Sequence, residues 1–310
     1  MFDQLRLQVL ERGWLSSNNV VFRSESGSSS AVVDTGYDSH AAQTVALLKD
    51  CLEGEPLARI LNTHLHSDHC GGNAELQRAF GSETVVPAVS FGAMSDWNQD
   101  QLTHDATAQN CERFVAHSAM EAGSSVLLGG HRWQILEAPG QDADALMFFE
   151  PSSRVLISGD ALWESRLAII FPELEQRDGF AGVEDVLAMI GELNAAVVIP
   201  GHGRPFDDVS RAIAISLRKL RQFQADPARD LSYASRALTM FHMLEVQRSS
   251  MSDLVQWMLG APIFVKLAGE FNDPPPSHRD TAESTVLRMI ADGILLRQGE
   301  TVSINPARTA

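Results

Sequence analysis

Cysteine is scarce. The 310 residues hold three, Cys51, Cys70 and Cys111, an odd number without framework spacing, which argues against a disulfide-stapled scaffold. No apolar run approaches the roughly 20 residues needed to cross a bilayer. The opening stretch MFDQLRLQVLERGWLSS scatters charges where a secretory signal would carry an apolar segment. The expectation is a cytoplasmic protein with no membrane partner. Internal repeats and low-complexity tracts are missing too, which excludes fibrous and disordered classes. Positive charge is short in the first two thirds: residues 1–206 carry 12 Lys and Arg against 28 Asp and Glu, whereas 207–310 carry 12 of each. The whole net charge of −16 thus falls on the first part. An acidic body repels polyanions at long range, so tight nucleic-acid binding is not expected.

What is present is a folding chain, 44% hydrophobic, with 22 Gly and 13 Pro. Its length suits one large domain with a smaller appendage. Residues 5–35 read as strands joined by turns, ending in Val33-Asp34-Thr35-Gly36. A helical period follows through Ala41, Ala42, Val45, Leu47 and Leu48. The strand Ile60–Thr63 then stops abruptly at His64. The same alternation recurs in Trp133–Leu136 before Ala138-Pro139-Gly140, in Val155–Ser158 before Gly159-Asp160, and in Ala196–Ile199 before Pro200-Gly201-His202. Strands that end in polar, Gly-rich loops are how a layered α/β fold gathers a site at one edge. Residues 88–122 read as a mostly helical insertion. Beyond Phe206, helical segments at 209–224, 231–248 and 252–269 precede a linker-like Asp273-Pro274-Pro275-Pro276-Ser277. A helix capped by Asp280, with Glu283 three residues on and Gly293 past its end, leads into a hairpin around Gln298-Gly299-Glu300. That pattern is winged-helix-like.

The chemistry concentrates in Thr63-His64-Leu65-His66-Ser67-Asp68-His69-Cys70-Gly71-Gly72. Three imidazoles and a carboxylate so close together are costly to hold unless a metal uses their lone pairs. His64 and His66 alternate on an extended backbone and point the same way. Asp68 and His69, as the chain turns, can aim at a second ion. A divalent ion lowers the pKa of bound water from 15.7 to about 7, which supplies hydroxide at neutral pH. Asp68 can double as the acceptor that orients this nucleophile.

These residues resemble the metallo-β-lactamase-fold hydrolases, whose hallmark is His-x-His-x-Asp-His after a strand; the resemblance covers roughly residues 10–206. It implies a four-layer αββα sandwich for residues 1–206, with 207–310 as a helical, winged-helix-like domain. It implies that Asp34 supports the site from behind and that Asp160 bridges two metals. One ion would take Asp68, His69, His202 and Asp160. The other would take His64, His66, Asp160 and the histidine of a Pro-Gly-His element. That histidine is missing: the matching element is Pro139-Gly140-Gln141-Asp142. An amide oxygen is a weaker zinc donor than imidazole. Three outcomes stay open: Gln141 or Asp142 completes a weakened site, the protein works with one metal, or catalysis has been lost.

The expected cofactor is zinc, one or two ions, with iron or manganese as alternatives. The expected function is metal-dependent hydrolysis of a small-molecule ester, thioester or lactone. The alternatives are an endoribonuclease of the same fold and a non-catalytic, ligand-binding relic. β-Lactam hydrolysis is not expected without an export signal. Trp163, Phe171 and Phe180 are candidates for lining a pocket or for packing, Cys70 reads as a structural thiol, and a neutral, apolar last third suggests a homodimer surface.

Overall fold

The computed structural model describes residues 1–25, 27–174, 178–269 and 277–308. They form two compact units, residues 1–102 with 110–221 and residues 103–109 with 222–310. The division falls inside the helix Val209–Ala225, later than the boundary after Phe206 that the sequence suggests. Residues 103–109 join the second unit, where Ile263 N–H donates to the Ala106 carbonyl at 3.0 Å.

In the first unit, six strands form one sheet in sequence order: β1 (Leu7–Leu10), β2 (Asn19–Phe22), β3 (Ala31–Val33), β4 (Arg59–Leu61), β5 (Glu83–Pro87) and β6 (Ser118–Met120). The first three run antiparallel, and pairing from β3 onward is parallel. A second sheet holds β7 (Ser125–Leu128), β8 (His131–Glu137), β9 (Leu146–Glu150), β10 (Val155–Gly159) and β11 (Val197–Pro200) in the order β11-β10-β9-β8-β7.

Strand periodicity decides what lies between the sheets. Val20, Phe22, Ala31, Val33 and Leu61 face Trp133, Ile135, Phe148, Val155 and Ile157 in one buried cluster. Phe22 meets Trp133 edge-on, with ring centroids 5.4 Å apart. The alternate residues Val21, Val32 and Ile60 point to the outer face and pack with Val45, Leu48, Leu52 and Leu76. Those come from the helices Ala41–Leu52 and Asn73–Phe80. Behind the second sheet, the helix Gly179–Leu193 buries Val183, Val186, Leu187 and Ile190. Gly182 fits there for lack of a side chain, since a Cβ would stand 2.0 Å from the Pro139 carbonyl oxygen. This contact seats the loop that carries Gln141. Helix, sheet, sheet, helix is the expected α/β sandwich.

The insertion at 88–122 is not mostly helical. It has two short helices, Phe91–Asp96 and Gln99–Leu102, then an irregular run into β6. The pairing of Val86 with Ala119 accounts for its end, where the open edge of β5 takes residues 118–120 as a strand.

The second unit has helices Pro227–Val246, Met251–Gly260, Pro262–Gly269 and His278–Ala291. Its sheet joins β12 (Arg248–Ser250), β13 (Leu295–Gln298) and β14 (Thr301–Ile304) in the order β12-β14-β13. The succession helix, strand, helices, hairpin is winged-helix-like. The cap of the last helix is Ser277, whose Oγ accepts from Asp280 N–H at 3.1 Å, so Asp280 is the capping partner rather than the cap. Residues 252–269 break at Ala261 into two helices because Pro262 starts a new one. The Pro274–Pro276 linker lies outside the described residues. No helix among the described residues is long and apolar enough to cross a membrane.

Candidate metal centre

Every functional side chain singled out in the sequence sits just past a strand. Asp34 follows β3 in a left-handed conformation, φ +59°. That turn aims its buried carboxylate across to the loop after β4. Oδ1 accepts from Thr63 N–H at 2.8 Å, and Oδ2 accepts from the Thr63 hydroxyl and from His69 Nδ1, both at 2.8 Å. With Nδ1–H donated to Asp34, His69 has its lone pair on Nε2, the tautomer a metal-binding histidine needs. This Nε2 is buried without a hydrogen-bond partner and faces Asp160 Oδ1 at 3.3 Å. Two acceptors facing at that distance require a proton or a cation between them.

Asp68 and His69 lie in the one-turn helix Ser67–Cys70, Asp160 follows β10, and His202 follows β11. Together they place ligand atoms within 4.8 Å of one another. His202 Nε2 is 3.0 Å from Asp68 Oδ2 and 4.0 Å from Asp160 Oδ1, and its Nδ1 is buried and unpartnered. Gly201 makes this approach possible: a Cβ there would stand 2.2 Å from Asp160 Oδ1 and 2.8 Å from the His69 ring. Asn18 braces the same loop, its amide donating to the carbonyls of Pro200 at 2.9 Å and Gly203 at 2.6 Å.

His64 and His66 form an adjoining group, with the His64 and His69 ring centroids 4.0 Å apart. The Thr63 hydroxyl proton is committed to Asp34, so His64 Nδ1 donates to Thr63 Oγ1 at 3.0 Å and leaves Nε2 bare. Gln141 Nε2 donates to His66 Nδ1 at 2.8 Å, and His66 Nε2 faces Asp142 Oδ2 at 3.3 Å. His64 Nε2 and His66 Nδ1 thus face each other as unprotonated nitrogens 3.1 Å apart, the second of them accepting from Gln141. Gln141 Oε1 is buried and unpartnered. Half a turn of the amide would direct that oxygen toward the same two nitrogens.

The charges follow from this packing. Burial, reinforced by His69, His66 and His202, pushes the pKa of His64 well below the usual range, which keeps it neutral. Burial also works against a charged His69, but Asp160, Asp34 and Asp68 outweigh it and raise its pKa well above normal. For Asp68 and Asp160 burial favours the neutral acid, yet His69 and His202 hold both carboxyls below their ordinary values. Three carboxylates around one imidazole make a cation-seeking cluster, and buried polar atoms without partners are what a divalent ion would satisfy. The residues fit the ion.

Three neighbours were not read from the sequence as part of the site. Thr63 connects Asp34 to His64. Asn18 holds the His202 loop, and Trp14 stacks on the His202 ring with centroids 5.6 Å apart. Trp14 offers one signal, a large aromatic in a polar turn between strands. Of the proposed pocket aromatics, Trp163 donates its indole N–H to Asp160 at 3.0 Å and Phe171 lies 4.5 Å from the His66 ring. Phe180 is half-buried in the helix behind the second sheet. The Cys70 thiol turns to the Leu65 carbonyl at 3.4 Å.

Known proteins resemble this chain. The sequence model of the Metallo-beta-lactamase superfamily matches residues 12–202. A hydroxyacylglutathione hydrolase of Rhodopseudomonas palustris is 31% identical over 131 residues, 42% of this chain and 43% of that one. The chain thus spans less than half the length of that relative. A probable metallo-hydrolase of Bacillus subtilis is 23% identical across 61% of this chain and 67% of its own. Among solved structures, a metallo-beta-lactamase family protein of Thermus thermophilus aligns over 96% of this chain and 97% of its own, TM-score 0.57 at 18% identity. A neighbour solved in a di-iron-bound form covers 68% of this chain and 97% of its own, TM-score 0.53 at 21% identity. With the family model matching from Arg12 through the His202 loop, the chain belongs to the metallo-β-lactamase superfamily.

Proposed function

We propose that the chain is a metal-dependent hydrolase of a small ester, thioester or lactone. One observation carries this reading: Asp68, His69, Asp160 and His202 converge within 4.8 Å while Asp34 fixes His69 with Nε2 bare. In this reading these four residues hold the tighter ion, and His64, His66 and Asp160, with Gln141, hold a weaker second one. Zinc, iron and manganese all suit the mixed nitrogen and oxygen donors. A bound divalent ion there supplies Lewis acidity toward a carbonyl and lowers the pKa of water.

The chain's own residues contribute the rest. Asp34 keeps the imidazole of His69 from rotating. Trp163, through its bond to Asp160 Oδ1, fixes which way that carboxylate faces. Asp68 is the least buried of the four and has a second carboxylate oxygen beyond the one on His202, placed to accept a proton from attacking water. Phe171 and Trp14 flank the two groups and limit water around them. The partial match to hydroxyacylglutathione hydrolases supports thioesters among the substrates.

The test is metal analysis of the purified protein followed by a panel of thioesters, esters and lactones, with and without chelator. Turnover abolished by chelation and restored by zinc or iron supports the reading. A protein that takes up no metal from a zinc-containing buffer and turns over nothing would sink it and leave the ligand-binding relic.

A further inference from the structure

Two indoles enclose the ring of His202. Trp14, between β1 and β2, stacks on it with planes 10° from parallel. Trp163 meets both His202 and Trp14 edge-on, each at 5.4 Å, and its N–H is bound to Asp160. Both rings are therefore tied to the candidate metal ligands. Over Trp14 lies the guanidinium carbon of Arg166, 4.3 Å from the ring centroid. Arg166 is exposed, and among the described residues no carboxylate pairs with it. Arg204, next to the His202 loop, by contrast has Glu164 at 3.6 Å.

Arg12, Arg59, Arg113 and Arg132 also lack an acidic partner, but each donates to a neutral oxygen of a side chain or backbone carbonyl, whereas among the described residues the Arg166 guanidinium donates to none. Contact with an aromatic face fixes the guanidinium plane but satisfies none of its five N–H donors. A planar fork seated on an aromatic that itself stacks on a candidate ligand is suited to a carboxylate, which it can bind by two parallel hydrogen bonds. A single fork suits one carboxylate; a polyanion would need a row of such cations.

We propose that Arg166, seated on Trp14 beside His202, anchors the carboxylate of a substrate whose ester or thioester carbonyl is presented to the metal centre. The chemical class is a monoester or thioester of a dicarboxylic acid, or an acyl compound with a free carboxylate on its leaving group. This inference rests on the hydrolase reading for the reacting carbonyl, while the anion site itself can be measured without turnover.

The probes are monomethyl glutarate, which carries one carboxylate, and dimethyl glutarate, which carries none on the same skeleton. Intrinsic tryptophan fluorescence of the full chain is titrated with each, with and without added zinc. The expected result is a saturable change with the monoester, a dissociation constant weakened about tenfold or more in R166Q and partly recovered in R166K. Dimethyl glutarate should bind all three proteins equally weakly. In hydrolysis by the zinc-loaded protein, R166Q should raise KM for the monoester by a similar factor, leaving kcat and the diester nearly unchanged. Equal binding of both esters by the parent protein, or monoester binding that R166Q leaves intact, would overturn the anchor. Charge-dependent binding that R166Q abolishes, with neither ester hydrolysed, would uphold the anchor and count against the hydrolase reading instead.

Discussion

On the side of the centre built from Asp68, His69, Asp160 and His202, carboxylates alternate with imidazoles and a third carboxylate, Asp34, stands behind. On the side built from His64 and His66, two imidazoles and the Gln141 amide face one another, with Asp142 at the margin. Both are buried, both follow strand ends, and their rings touch. They differ in negative charge, and that decides which can pay the cost of stripping water from a divalent ion. Geometry brings donors together on both sides, but only one side has the charge to hold a cation firmly.

The comparison can be broken most severely at Asp160. D160N removes the carboxylate that faces both His69 and His202, and we expect loss of the tighter ion together with at least about a 100-fold fall in hydrolysis. Metal analysis beside the rate separates ligand loss from misfolding. D34N should act on the same side more mildly. It keeps a residue that tolerates the left-handed turn but weakens the acceptor for His69, so metal affinity should fall about 10- to 100-fold by equilibrium dialysis. A D34N protein that binds metal like the parent would mean that the backing carboxylate is not what distinguishes the two sides.

The weaker side is sharpened by Q141H, which supplies an imidazole where the amide oxygen now lies unpaired. The expected outcome is metal content rising toward two ions per chain, with turnover up several-fold; unchanged content would show that Gln141 does not limit the second site. The smallest effect is in proton release. Three carboxylates raise the pKa of His69, so below that pKa the ion-free protein carries an imidazolium that a metal must displace. Affinity should therefore climb as pH rises and level off once His69 is neutral. Calorimetry in buffers of different ionisation enthalpy should detect the released proton. His64, already neutral through burial, should release none.

Much of this was readable from the chain. Asp34, His64, His66, Asp68, His69, Gln141, Asp160 and His202 each lie in a segment that follows a strand, and a run of β-branched and aliphatic residues stopping at a polar loop is a local signal. The sandwich was readable for the same reason, since Val20-Val21-Phe22 and Ala31-Val32-Val33 bury both faces. What the sequence withheld is long-range. The stacking of Trp14 on His202 joins residues from opposite ends of the first unit. β12 is three polar residues, Arg248-Ser249-Ser250, whose strand character comes from pairing with β14 rather than from any pattern of its own. In the 88–122 insertion the local pattern suggests helix throughout, but its last residues, 118–120, are recruited by the edge of β5, a partner the local pattern does not show.

Gly201 has a consequence for dynamics. Its N–H donates to the Gly159 carbonyl at 2.7 Å, extending the parallel pairing of β10 and β11 right up to Asp160 and His202. The backbone segments that carry the two side chains therefore form one hydrogen-bonded unit. Separating these segments means opening the sheet. In hydrogen exchange the Gly201 amide should rank among the slowest in the chain, and release of the tighter ion to a chelator should share its rate rather than the faster rate of loop fluctuation.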